Sequence, residues 1–174
     1  MSDAESSTDS HLSPTPSPEP TPRELGYRMP AEWEPHQATW LSWPHNRESW
    51  PGKFESILPV YAQMVALLSR SETVHVNVND AAMEAQARRL IDQADGESDK
   101  VHFHPFATND AWCRDHGAIF VTRSHAPDEP RSAAHGRLAA VDWEYNAWGG
   151  KYPPFDLDND IPAKMADFLG VPRF

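Results

Sequence analysis

Between Phe54 and Val78 the apolar pattern switches from a helical period to a period of two, and that switch narrows the folds open to the chain. Phe54, Ile57, Leu58, Tyr61, Met64, Val65 and Leu68 recur at the spacing of one helix face, which predicts a core-facing helix. Pro59 lies inside the pattern and either kinks the helix or marks its first turn. Val74-His75-Val76-Asn77-Val78 then alternates as a half-buried strand does. Asp80 caps a second predicted helix, running to about Ala94 with Met83, Ala87, Leu90 and Ile91 inward. Strands separated by helices with one apolar stripe fold as helices on a sheet, so the class is mixed α/β or α+β.

The remaining elements fit that frame. Residues 38–43, 100–106, 118–123 and 138–145 read as strands, and residues 124–136 as a long polar loop. Paired glycines and prolines make residues 146–154 irregular. Asp160-Ile161-Pro162 opens a last short helix that Gly170 closes. Trp33, Trp40, Trp43 and Trp50 are assigned to the core, because tryptophans carry large buried areas. Ahead of these elements, residues 1–24 are rich in Pro, Ser and Thr, acidic, and too poor in apolar groups to offset chain entropy. They read as a disordered tail, and residues 25–174 as one folded domain.

Charge and cysteine usage exclude whole classes of partner. A net charge of −11 does not suit nucleic acid or anionic membrane, and favours a small cationic substrate. The single cysteine forbids an internal disulfide or a multi-cysteine zinc site. With no membrane-length apolar run and no signal-peptide pattern, the expected compartment is the cytoplasm. Neither a P-loop nor a G-x-G-x-x-G turn is present, so no nucleotide cofactor is expected. His102 and His104 share a strand face, but paired histidines are more often hydrogen-bonded than ligating. Asp156, Asp158, Asp160 and Asp167 imitate the spacing of a calcium loop, yet Ile161 stands where its glycine belongs, so capping and solvation explain them better. No metal is expected.

Residues 108–120, Thr-Asn-Asp-Ala-Trp-Cys-Arg-Asp-His-Gly-Ala-Ile-Phe, gather the chemistry-bearing side chains into one loop between strands. Trp112 and Asp115, three apart, can enclose a guanidinium: the carboxylate accepts two parallel N–H bonds and the ring holds the planar cation or its stem. The bland alternative is that Asp115 pairs with Arg114 or caps the turn before Gly117. Cys113 between them reads as a small loop or core residue, and His116 as a turn histidine.

Four blocks carry a family resemblance. Residues 29–36 (Met-Pro-Ala-Glu-Trp-Glu-Pro-His), 39–44 (Thr-Trp-Leu-Ser-Trp-Pro), 109–117 (Asn-Asp-Ala-Trp-Cys-Arg-Asp-His-Gly) and 146–152 (Asn-Ala-Trp-Gly-Gly-Lys-Tyr) resemble, in order, the agmatine deiminase and bacterial-type peptidylarginine deiminase family. The resemblance implies the pentein fold, a pseudo-fivefold α/β propeller of which this chain holds an incomplete part. It implies hydrolysis of a guanidine to a urea with release of ammonia, as in agmatine to N-carbamoylputrescine on the route to polyamines. It places substrate clamping on Asp115, the catalytic residue carried over, with Trp112 lining the site, and it calls for no cofactor. The family's glutamate before paired glycines, its Gly-His-x-Asp block and its late nucleophilic cysteine have no match here. The expectation is therefore a chain that clamps substrate without turning it over alone, its partners being a guanidine such as agmatine and either a second copy of itself or the rest of the domain.

Overall fold

The computed structural model describes residues 19–124 and 136–174; most of the proline-rich tail and of the polar loop lie outside them. β1 (Ala38–Ser42), β2 (Thr73–Asn77) and β3 (Val101–His104) form a parallel sheet in that order. Parallel neighbours need crossovers, and α1 (Phe54–Ser69) and α2 (Ala81–Gln93) supply them. The predicted α2 stripe packs as expected, and that of α1 does so in part: Leu58 and Val65, with Ala62, and Ala87 and Ile91 of α2 meet Val74, Val76 and Val101 in one core, while Met64 is exposed. Pro59 sits inside α1 on its exposed side, where the helix continues past it. Asp80 caps α2 as expected, its carboxylate accepting the Met83 amide at 2.8 Å.

Period two sends the other side chains to the opposite face. There Trp40 stacks on His75 and His104, whose Nδ1 and Nε2 lie 2.8 Å apart, and Phe168 packs edge-on against all three rings. At the strand ends Ser42, Asn77 and His104 stand in register, and Asn77 donates to the Ser42 hydroxyl at 3.1 Å. The loops leaving these carboxyl ends converge, which is where open α/β sheets place their ligands.

β4 (Ile119–Thr122) and β5 (Leu138–Val141) form a separate antiparallel pair, widened by bridges from Arg28 to Thr122 and from Ala140 to Arg173. Its core is small: Tyr27, Val121 and Ala139 with Val141 and Phe174. Short turns α3 (Cys113–His116), α4 (Ala147–Gly150) and α5 (Asp156–Asn159) precede α6 (Ile161–Leu169), which packs on β5 and carries Phe168 to the first sheet. Neither sheet of the described residues closes on itself. Among those residues no helix is long and apolar enough to cross a membrane.

Several expectations change. Trp43 is fully buried, but Trp33 is 89% exposed, since the turn over residues 31–34 is tied by Glu34 rather than by packing. β5 ends at Val141, not Tyr145, because the Asp142 amide already donates to the Phe174 carbonyl and its carboxylate accepts from Arg173. Asp158 is buried instead of solvated.

Candidate functional site

Three side-chain clamps seat the loop that follows β3. Asn79, just beyond β2, binds Thr108 reciprocally, its amide donating to the Thr108 carbonyl and its Oδ1 accepting the Thr108 amide, both at 3.0 Å. Asn109 Oδ1 accepts the amides of Leu157 and Asp158 at 2.9 and 3.2 Å, and Asp158 Oδ1 accepts those of Asn109 and Asp110 at 2.7 and 3.2 Å. Asp110 receives the Asn46 side-chain amide at 3.0 Å, the Ser49 hydroxyl, and its neighbour Ala111 N–H at 2.7 Å. Loops from β1, β2, β3 and α5 are thereby locked to one another by short local acceptors, the use for which Asx residues are suited.

On this base α3 makes a single turn, with the Asp115 and His116 amides donating to the Trp112 carbonyl at 2.9 and 3.1 Å. Gly117 ends it because a Cβ there would stand 2.5 Å from the Cys113 carbonyl oxygen. One turn separates the residues into two sets. Trp112, Arg114 and Asp115 face outward; Cys113 is half-buried and His116 buried on the inner side. Arg114 pairs with Glu32 at 3.0 Å, not with Asp115. Among the described residues the Asp115 carboxylate has no hydrogen-bond or ion-pair partner, so neither bland alternative holds it. Trp112 stacks on Trp50 at 5.9 Å between centroids and meets Trp148 edge-on at 6.4 Å.

Behind the turn the environment is dry. Burial pushes the Cys113 thiol up to about 11, with the Ser42 hydroxyl beside it pulling weakly the other way. Burial also lowers His116 to about 4. Its Nε2 lies 3.9 Å from Asp158 Oδ1, and neither ring nitrogen makes a hydrogen bond of good geometry. Asp158 is raised to about 6 by burial, in spite of the Asp110 and Asn109 amides that favour its ionised form. Tyr145, edge-on to His116 and Trp148, is raised to about 12 by burial and then by the charges of Asp158, Asp115 and Asp110. A partnerless carboxylate on the turn that carries Trp112 can accept the N–H groups of a cation, whereas a protonated thiol is a poor nucleophile. Among the described residues no three His, Cys, Asp or Glu side chains are arranged to hold a metal.

A family model described as Porphyromonas-type peptidyl-arginine deiminase matches residues 28–174. The chain belongs to that family. Among curated relatives, the agmatine deiminase of Medicago truncatula is 34% identical over 160 residues, covering 90% of this chain and 40% of the relative. That of Ectopseudomonas mendocina is 32% identical over 158 residues, covering 88% and 39%. The deiminase-family chain thus spans about two fifths of the length of the curated relatives it matches. Its fold is similar to the solved agmatine deiminase of Enterococcus faecalis, with a TM-score of 0.72 at 27% identity over 88% of this chain and 38% of that one. A substrate-bound C. jejuni agmatine deiminase gives 0.65 at 26% identity over 85% and 39%.

Within this deiminase-family chain, the structure brings Trp112 and Asp115 to one outer surface and turns Cys113 and His116 away from it. His102 is exposed, while His104 is buried against His75. Sequence reasoning missed the Asn109–Asp158 clamp and the two tryptophans flanking Trp112. Asp158 is separated from its partners by 48 and 49 residues, so no local pattern signals it.

Proposed function

We propose that this chain carries the substrate-recognising part of an agmatine-deiminase-type hydrolase, converting a guanidine and water to a urea and ammonia. Asp115 accepts the guanidinium N–H groups and Trp112 lies against the cation. The observation that carries the reading is the partnerless Asp115 carboxylate on the outer side of α3, beside a half-exposed indole, in a member of the deiminase family. The relatives named agmatine deiminase support agmatine as the substrate. A guanidinium carbon is a poor electrophile, so the reaction needs a fixed cation, a thiolate and an acid for the departing ammonia. Cys113 is not that thiolate; the nucleophile and the acid come from residues outside these 174, in a pentein propeller of which this chain forms a part. A second reading is cation binding without turnover, which the same partnerless Asp115 carboxylate serves and which needs no thiolate.

The test is to titrate the chain with agmatine in a calorimeter and assay ammonia in parallel. Binding that Asp115→Asn abolishes, with no ammonia from the chain alone, is the expected result. Turnover lost in Cys113→Ser would overturn the placement of the nucleophile, and agmatine binding unchanged in Asp115→Asn would overturn the clamp.

A further inference from the structure

Trp148 sits on a turn whose backbone is strained. Ala147, Trp148, Gly149 and Gly150 all have positive φ, at 48°, 57°, 81° and 75°. Glycines suit that region, but Ala147 and Trp148 carry a Cβ that disfavours it. The turn is nonetheless firmly tied. Asn146 Oδ1 accepts the Gly149 amide at 2.8 Å, the Asn146 carbonyl accepts that of Gly150 at 2.6 Å, and Ala147 is buried beneath. What the strain holds up is an indole that remains 52% exposed, so the fold gains little burial from it. Strained backbone of this kind clusters at functional sites, and here it holds up a side chain that stays half exposed.

The indole stands beside Trp112. Its ring is edge-on to Trp112 at 6.4 Å, to Tyr145 at 5.9 Å and to Tyr152 at 5.8 Å, so the three neighbours surround it while part of its surface stays open. A guanidinium seated on Asp115 against Trp112 has this aromatic row beside it for its aliphatic stem. A four-carbon stem extends roughly 5 Å, enough to carry it from the Trp112 ring into contact with Trp148, whose centroid lies 6.4 Å away. The rings along this row are aromatic, and the Lys151 ammonium lies over the Tyr152 ring, 5.1 Å from its centroid.

We propose that Trp148 is a specificity-determining residue of this site, reading the aliphatic stem of the guanidine while Asp115 reads its charge. The inference rests on the guanidinium assignment of Asp115 and Trp112. It separates two recognition tasks that a purely structural tryptophan would not separate. Loss of Trp148 weakens only ligands that have a stem.

Calorimetric titration of the 174-residue chain with methylguanidine and with butylguanidine tests this. Trp148→Asn keeps a residue that tolerates the left-handed backbone. It is expected to weaken butylguanidine roughly tenfold, as burial of about two methylenes predicts, and to leave methylguanidine unchanged. Trp148→Phe is expected to restore most of the lost affinity. Equal weakening of both ligands, or none for butylguanidine, overturns the role of Trp148 while leaving Asp115 untouched. An Asp115→Asn variant that binds both ligands as the wild type does instead overturns the assignment of the site itself.

Discussion

Cys113 and Asp115 are two residues apart on one helical turn and meet opposite surroundings. The thiol packs under the turn beside Ser42, while the carboxylate faces outward without a partner. A thiol at about 11, against an ordinary 9.0, leaves roughly a hundredfold less thiolate at neutral pH. Labelling of Cys113 by a disulfide reagent at pH 7 is therefore expected to be at least that much slower in the folded chain than in urea. Rapid labelling of the folded chain would refute its burial. That Trp112 and Asp115 share the outer side of one turn was legible in the sequence because a three-residue spacing is local. The depth of Cys113 was not, because it depends on Ser42, at the end of a strand 71 residues earlier, and on how β1 and α3 meet. Trp33 shows the same limit from the other side. Its size argued for the core, yet a short loop closed by the Glu34 carboxylate and the Arg28–Glu34 ion pair leaves it in solvent.

Among elements, α1, α2 and the strands between them were readable because each presents one face to the same core, and that demand writes a period into the sequence. The loops at the strand ends obey no period. Their geometry comes from paired side-chain clamps such as Asn79 with Thr108, which leave no mark on composition. The aromatic and imidazole face of the parallel sheet makes a prediction at this scale. His75 is held down to about 4 by burial first, then by His104 and His102. In the unfolded chain it titrates near 6.5. A lowered folded pKa means that its contribution to stability is fully present above 6.5 and is lost as pH falls through about 4. Urea midpoints measured between pH 7 and pH 4 are expected to fall, and to fall less steeply for His75→Gln. A variant with the same acid slope as the wild type would show that the titration lies elsewhere.

Across the whole molecule, burial is unevenly shared. The parallel sheet has helices over one face and the main core, with β2 paired on both sides. The β4–β5 pair rests on a much smaller cluster and on bridges from Arg28 and Arg173. Regions with few buried apolar contacts open locally at lower free energy than core strands. The candidate site lies at the joint: α3 follows the loop from β3, and the Asn109–Asp158 clamp ties that loop to α5. Amide hydrogen exchange is expected to be slowest in β2 and α1 and faster in β4 and β5. Residues 146–159 should resemble the second group. If a guanidine bridges Asp115 and Trp148, its binding couples these unequal parts. Saturating butylguanidine should then slow exchange over residues 112–117 and 146–159 and leave β2 unchanged, because only segments that open locally can gain from a ligand that orders them. Protection confined to α3 would mean that the ligand never reaches Trp148, and uniform protection would mean that the two sheets open as one unit.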